Sequence, residues 1–140
     1  IRLGRSDAAM EAIRTAIKYA PNKAALYKQA GIIFDACARE SEAGQYALKA
    51  IDLGKQDSVT LTLAGKSLLG TGKAQEGLRY LADAVRTNPN NLHARFYYAQ
   101  ALKTAGDLET AKQNLEEILW SKVETPLKDR ARREMQSLGG

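Results

Sequence analysis

The residues best suited to chemistry in this chain are a single histidine, His93, and a single cysteine, Cys37. A zinc site of the His/Cys type needs three or four such ligands, so one of each cannot supply it. A cysteine nucleophile needs a histidine beside it, and no such pair is evident because the two residues are far apart in the sequence. Carboxylates are numerous but scattered. Cys37 is therefore interpreted as a small packing residue, and no metal site is predicted.

The segment Gly70–Lys73 superficially resembles a phosphate-binding turn. However, the phosphate-loop pattern Gly-x4-Gly-Lys-Ser/Thr occurs nowhere in the sequence, and no Gly-x-Gly-x-x-Gly motif follows a predicted strand. Gly72 also recurs one sequence period later as Gly106, which favours a turn between helices over a ligand site. The sequence therefore predicts a protein that is not an enzyme, with no catalytic residue and no cofactor.

The composition is that of a soluble globular domain. Of the 140 residues, 44% are hydrophobic and 26% are charged, and the abundance of alanine favours close-packed helices over sheets. No apolar run approaches the roughly 18 residues of a membrane span, and Ile1–Arg5 contain no apolar signal-peptide core. The single cysteine excludes an intramolecular disulfide.

The net charge of +5 would suit an acidic partner. Acidic and basic residues are interleaved, however, and no block of five or six like charges occurs. Even the densest basic stretch, Lys128–Arg133, contains Asp129. Ordinary solvation of a helical surface therefore accounts for the charge at least as well as binding does.

An internal repeat is the main signal in the sequence. Written in lines of 34 residues that begin at Ala24, Ser58 and Leu92, the chain aligns with itself without gaps. Similar residues then fall in register: Phe34 with Leu68 and Leu102, Ala38 with Gly72 and Gly106, Ala43 with Gly77 and Ala111, and Ala50 with Ala84 and Ile118. Repeats of this length indicate a solenoid of stacked units.

Each repeat is predicted to form two helices joined by a short turn. Apolar residues recur at spacings of three and four, as on one face of a helix. Asp107 is predicted to cap the helix that follows it, and Thr125-Pro126 to begin the last helix. Glycine or alanine at the eighth and twentieth positions of a repeat would let the two helix backbones approach closely.

The period, the two-helix unit and the small and large residues together resemble the tetratricopeptide repeat. The motif positions of the best unit hold Leu61, Ala64-Gly65, Leu68, Gly77, Leu81, Ala84 and Pro89, whereas Lys55, Arg95 and Val123 depart from the motif in other units. The resemblance implies an all-α fold, a right-handed solenoid of antiparallel helix hairpins in one domain. Its full repeats would be 24–57, 58–91 and 92–125, with a partial repeat at 1–23 and a capping helix at 126–138.

Both ends of the chain carry a prediction. In the repeat register Gly4 falls in a turn, and residues 6–20 form a second helix without its partner. The chain is therefore predicted to be a fragment of a longer repeat protein; the alternative is a natural half-repeat that acts as a cap. At the other end, Leu127, Ala131, Met135 and Leu138 form a narrow apolar stripe among charged residues, which predicts a terminal capping helix with a polar outer face.

The resemblance also implies where a ligand binds, because the first helices of tetratricopeptide repeats line a concave groove. The predicted groove residues are Lys28, Ile32, Asp35, Val59, Thr62, Lys66, Leu69, His93, Phe96, Tyr97, Gln100 and Lys103. A peptide's acidic groups would meet Lys28, Lys66 or Lys103. Its apolar side chains would reach Phe96 or Ile32, and its backbone would meet Gln100 or Thr62. The alternative is that Phe96 and Tyr97 pack against the terminal helices.

One subclass of the family binds chaperone tails through a Lys/Asn/Arg clamp on a terminal carboxylate. Lys28 fits the first position of that clamp, but Ile32 stands where asparagine is expected. His93 and Tyr97 stand where lysine and arginine are expected. The sequence therefore does not predict a chaperone tail as the ligand.

A second resemblance concerns the run from Gly65 to Leu119. It is similar to the C-terminal repeats of bacterial tetratricopeptide proteins encoded with exopolysaccharide export and PEP-CTERM envelope systems, although Lys66 stands where those often have tryptophan. This resemblance implies a bacterial origin and a role in assembling an envelope or secretion complex. It leaves open whether the compartment is the cytoplasm or the envelope.

Three functions are compatible with these observations. The first is a scaffold that binds a peptide or another protein in the groove, and the net positive charge would suit an acidic one. The second is an oligomerisation or spacer module, with a homo-oligomer as one form. The third is RNA binding by a helical-repeat array, which the interleaved acids and the regular 34-residue spacing disfavour.

Overall fold

The computed structural model describes residues 2–139, which form eight α-helices and no strand. The helices are α1 (Arg2–Tyr19), α2 (Ala24–Ala36), α3 (Glu40–Asp52), α4 (Ser58–Gly70), α5 (Ala74–Thr87), α6 (Leu92–Ala105), α7 (Leu108–Trp120) and α8 (Leu127–Ser137). Each helix packs on the next along the chain, and α2, α4, α6 and α8 also contact one another in that order. The predicted all-α repeat solenoid is confirmed. Within residues 2–139, no helix has the length and apolarity needed to cross a membrane.

The helices begin at the stride found in the sequence. The first helices α2, α4 and α6 start 34 residues apart, and so do the second helices α3, α5 and α7. The turn inside each hairpin is closed by an equivalent backbone hydrogen bond, in which the amides of Arg39, Lys73 and Asp107 donate to the carbonyls of Phe34, Leu68 and Leu102 at 2.8, 2.9 and 2.9 Å. The same stride therefore sets the start of each helix and the turn that follows it.

This turn needs one residue with a left-handed backbone. Gly72 and Gly106 adopt it with φ of 82° and 89°, and Ala38 adopts it with φ of 61°. A side chain at such a position costs about 1–2 kcal/mol because Cβ approaches the following carbonyl. The first hairpin therefore carries a local strain that the other two do not.

We expect Ala38→Gly to stabilise the protein. Relief of the left-handed strain should outweigh the greater freedom of glycine in the unfolded chain, for a net gain of about 0.5 kcal/mol in the free energy of unfolding. Ala12→Gly, at an exposed position inside α1, should instead lose about 1 kcal/mol. Urea unfolding of both variants measures the difference, and a loss of stability in Ala38→Gly would contradict the assignment.

Small residues let the two helices of a hairpin lie close together, as predicted. A Cβ atom at Gly77 would lie 2.9 Å from the carbonyl oxygen of Gly65, and a Cβ atom at Gly65 would lie 2.5 Å from Cγ of Leu81. Gly31 and Ala43, at the corresponding positions of the first hairpin, are buried, and a Cβ atom at Gly31 would lie 3.3 Å from the carbonyl oxygen of Ala43. Contact between backbones therefore sets the spacing between the helices of these hairpins.

The predicted helix starts are confirmed at two positions. The Asp107 carboxylate accepts from the Thr110 amide at 3.2 Å, and the Thr125 hydroxyl accepts from the Leu127 amide at 3.3 Å. Asp57 and Asn91 cap α4 and α6 in the same way, accepting at 2.9 and 3.2 Å. The N-terminal ends of α4, α6, α7 and α8 are therefore fixed by side chains of the loops before them, whereas α2 has no side-chain cap.

The beginning of the chain differs from the prediction. α1 runs from Arg2, so Gly4 lies within a helix and not in a turn. The rest of the segment agrees with the expected second helix, and Met10 and Ile13 pack in one cluster with Phe34 and Cys37. Cys37 is thus a packing residue, as the sequence suggested.

Candidate functional site

The side formed by α2, α4, α6 and α8, here called the first-helix face, contains two open cavities. The central cavity has a volume of about 390 Å³ and is lined by Ile32, Asp35, Ala36, Val59, Thr62, Leu63, Lys66, Asn91, His93, Tyr97 and Arg130. The lateral cavity, of about 550 Å³, is lined by Leu69, Gly72, Ala74, Gln100, Lys103, Thr104 and Glu134. Of the predicted groove residues, only Lys28 and Phe96 line neither cavity.

The three lysines expected to meet a ligand's acidic groups already have partners within the chain. Lys28 donates to Asp57 at 2.7 Å, and Lys66 donates to Asp35 at 2.9 Å. Lys103 lies 3.3 Å from Glu134 and also donates to the Ser137 hydroxyl at 3.2 Å. Each ion pair joins one first helix to the next first helix or its cap. An acidic ligand would therefore have to compete with these pairs.

The environment of two of these pairs favours the charged form of one partner in each. Burial alone would raise the pKa of Asp57, but hydrogen bonds from Lys28 and Thr60 outweigh burial, and the pKa lies below its usual value. Burial alone would lower the pKa of Lys66, but its hydrogen bond to Asp35 and the nearby Tyr97 raise it above the usual value. The ion pairs therefore stabilise the charged carboxylate of Asp57 and the charged ammonium group of Lys66.

Phe96 is not a surface residue, which corrects its assignment to the groove. Its side chain is 1% exposed and belongs to a cluster with Leu127 and Ala131 of α8. The Phe96 ring meets the Tyr97 ring edge to face, with centroids 5.4 Å apart. The alternative interpretation, packing against the terminal helices, therefore holds for Phe96, while Tyr97 does line the central cavity.

Thr62 is less available to a ligand than expected. Its side chain reaches the wall of the central cavity, but the residue is 7% exposed. Its hydroxyl donates to the Ser58 carbonyl at 2.7 Å. Thr62 could thus only accept a hydrogen bond from a peptide backbone. The side chain of Gln100, in the lateral cavity, makes no hydrogen bond within residues 2–139 and could both donate and accept.

Arg130 is one of the site residues that the sequence analysis does not predict, together with Ala36, Leu63 and Asn91. It belongs to the charged stretch of the last helix, yet it lines the central cavity. Its guanidinium lies 4.4 Å from the ring centroid of Phe96 and 6.0 Å from that of Tyr97. The signal was present in the repeat: one more stride from Phe96, Gln100 and Lys103 leads to Arg130, Glu134 and Ser137. The last helix thus occupies the place of a first helix.

Two family models describing a tetratricopeptide repeat match the chain. One matches residues 1–58 and the other residues 68–123. The two matches do not overlap and together take in most of the sequence. The chain is a tetratricopeptide repeat protein. Such repeats are generally non-catalytic modules for protein interaction.

Solved structures of other tetratricopeptide repeat proteins share this fold. YrrB, described as having an unusual peptide-binding site, is 23% identical with a TM-score of 0.72 over 84% of this chain and 61% of its own. MamA is 17% identical with a TM-score of 0.76 over 86% and 71%. The first tetratricopeptide domain of Spaghetti (RPAP3), solved with the HSP90 peptide SRMEEVD, is 21% identical with a TM-score of 0.68 over 84% and 94%. No curated protein matches the sequence significantly.

The present chain spans about three fifths of YrrB. At these identities the similarity establishes the fold alone, and the site of this tetratricopeptide repeat protein depends on its own residues. Among residues 2–139, no group of three or more His, Cys, Asp or Glu side chains is placed to hold a metal ion.

The pKa of His93 is affected by the charged side chains of the central cavity of this tetratricopeptide domain. Burial lowers its pKa, and the positive charges of Lys66 and Arg130 lower it further, against a smaller opposite effect of Asp35. The folded protein therefore binds a proton at His93 less readily than the unfolded chain does.

We expect His93 to make folding less favourable in acid. Because the unfolded histidine titrates near pH 6.5 and the folded one below it, its contribution should be lost as the pH falls through about 6.5. The melting temperatures of the wild type and His93→Gln should therefore diverge between pH 7.5 and pH 5.5, with the wild type falling further. Parallel curves would show that folding does not lower the pKa of His93.

Proposed function

We propose that this chain is a protein-interaction scaffold that holds an extended segment of a partner protein in the central cavity. The observation that carries the proposal is the cavity itself, which opens on the first-helix face and combines exposed aliphatic side chains with polar groups. Ile32 and Val59 are 38% and 43% exposed, while Asn91, His93 and Tyr97 supply polar atoms nearby. Binding sites for peptides commonly combine such apolar area with a few oriented polar groups.

A photo-crosslinking amino acid at Val59 tests the proposal in cells of the source organism. Val59 is an exposed wall residue, so the substitution should leave the fold intact. The matched control is Gln113, which is exposed on α7, a second helix. A discrete crosslinked protein should appear from Val59, disappear when Ile32 is changed to Asp, and be absent from Gln113. Crosslinking from Gln113 alone would assign binding to the opposite face and overturn the proposal.

The same experiment addresses the setting of the function. We propose assembly of a bacterial envelope or secretion complex, supported by the sequence resemblance of residues 65–119 to repeats encoded with such systems. The proteins crosslinked at Val59 should then be components of export or envelope machinery when identified by mass spectrometry. Partners confined to other processes would remove this setting and leave the scaffold proposal standing.

Self-association is a second candidate, favoured by an apolar patch between α7 and α8. Trp120 is 71% exposed and Val123 is 60% exposed. Both line a depression of about 310 Å³ together with Pro89 and Leu92. Exposed aromatic and aliphatic groups of this kind are typical of contact surfaces. Sedimentation velocity over a range of concentrations should show dimers that Trp120→Gln removes, and a strictly monomeric wild type would eliminate this candidate.

A further inference from the structure

The central cavity contains one cation that takes part in no ion pair within residues 2–139. Lys28, Lys66 and Lys103 each pair with a carboxylate. Arg130 takes part in none of the ion pairs found among residues 2–139, although it is exposed and lines the cavity. Its charge is therefore available to a ligand without the loss of an internal pair.

The aromatic rings beside Arg130 hold its guanidinium in place. The group lies over the Phe96 ring at 4.4 Å, and Phe96 is itself fixed in the core at 1% exposure. A guanidinium that stacks on a ring keeps the N–H donors at its edge free, and these donors match the two oxygens of a carboxylate. A side chain held in this way loses little conformational freedom on binding.

The charges around the cavity favour an anion near Arg130. Lys66 and Arg130 contribute two positive charges to the lining, against one negative charge from Asp35. The lowered pKa of His93, which burial and then Lys66 and Arg130 cause, is consistent with a positive potential there. The same lining also has an aliphatic part at the exposed side chains of Ile32 and Val59.

We infer that Arg130 binds a carboxylate of an acidic peptide whose neighbouring aliphatic side chain packs on Ile32 and Val59. This inference rests on the proposed function and adds the chemistry of the ligand. It also gives α8 a role in binding, since this helix supplies the group that recognises the anion.

Selection from a library of random peptides displayed with blocked C-termini, and from a second library with free C-termini, tests the inference. The full chain serves as bait. Enriched sequences should carry Asp or Glu at a fixed distance from Ile, Leu or Val, and enrichment from the free-end library alone would identify a terminal carboxylate as the source. Enriched peptides are then synthesised, and their dissociation constants are measured by calorimetry against variants of Arg130.

Arg130→Gln should weaken binding about tenfold or more, since a charge-assisted pair is lost. Arg130→Lys should bind with intermediate affinity, because it keeps the charge and loses the planar fork. The matched control is Arg132→Gln, which also removes one positive charge from α8. Arg132 forms an exposed ion pair with Asp129, and its substitution should change the affinity less than twofold. Melting curves confirm that each variant is folded. If Arg130→Gln does not fold, the affinity of Arg130→Lys tests the role of Arg130 in its place.

The outcomes separate this inference from the proposed function. Peptides that lose affinity with Ile32→Asp but not with Arg130→Gln would overturn the role of Arg130 and leave the groove as the binding site. Peptides indifferent to both variants, or a library without enriched sequences, would overturn both proposals. Displacement of the peptide by a random single-stranded RNA oligonucleotide, with loss of RNA binding in Arg130→Gln, would replace the acidic peptide by a nucleic acid.

Discussion

Gly65→Leu is expected to destabilise the protein by about 3 kcal/mol or more. A Cβ atom at residue 65 would lie 2.5 Å from Cγ of Leu81 and 3.1 Å from the Gly77 carbonyl oxygen. The leucine side chain of residue 81 is 0% exposed and has no free space to enter. Because one obstacle is backbone, α4 and α5 would have to separate. Thermal and urea unfolding measure the loss.

Two variants serve as controls for this prediction. Lys66→Leu introduces the same side chain one residue later, where it breaks only a partly exposed ion pair with Asp35 and should cost about 1 kcal/mol or less. Gly4→Ala meets nothing within 4 Å and should be neutral or slightly stabilising. Equal melting temperatures for Gly65→Leu and Lys66→Leu would contradict the packing described for this hairpin.

The fold could be predicted from the sequence because one stride determines several levels of structure at once. Ala24, Ser58 and Leu92 begin both the aligned sequence lines and the three first helices. Glycine or alanine recurs where helices touch and where the backbone turns, so local and tertiary requirements coincide. The prediction was wrong at Gly4, where the register places a turn but α1 already runs from Arg2.

The candidate site could be predicted only in part. The stride identified which residues face the first-helix side, and most of them line a cavity. It could not show that Lys28, Lys66 and Lys103 pair with acids 29 to 31 residues away, because such pairs depend on the distance between neighbouring units and on side-chain reach. Arg130 was not predicted for a different reason. The apolar stripe of α8 predicts a capping helix, whereas the structure places α8 where the first helix of a further repeat would lie.

The burial of Phe96 was not predicted for the same reason, namely that α8 was not expected to lie over α6 as a further first helix. At its position in the first repeat stands Lys28, which is partly exposed, whereas Phe96 is covered because α8 lies over α6. A residue's place in the repeat therefore predicts its direction, but its exposure depends on what the next unit places against it. Whether Phe96 is a core residue or a contact residue can be measured directly.

Phe96→Ala is expected to cost about 3–5 kcal/mol in the free energy of unfolding, as for other buried aromatic residues. Phe96 packs in the cluster that includes Leu115, Leu127 and Ala131, and so joins α6 to α7 and α8. Units of a solenoid contact only their neighbours, so the loss should concentrate at this end of the chain. Hydrogen exchange should show amides of α7 and α8 losing protection well before those of α2 and α3.

Tyr97→Ala is the matched control, since Tyr97 is the neighbouring ring and is only partly buried. It should cost clearly less stability than Phe96→Ala, yet it removes a wall of the central cavity and should weaken the peptide selected there. Phe96→Ala acts on binding indirectly, because Arg130 loses the ring beneath its guanidinium and Tyr97 loses the ring that it meets edge to face. If Phe96→Ala were the milder of the two for stability, Phe96 would be a surface residue after all. The orientation of Arg130, and with it the proposed carboxylate site, would then have no fixed support.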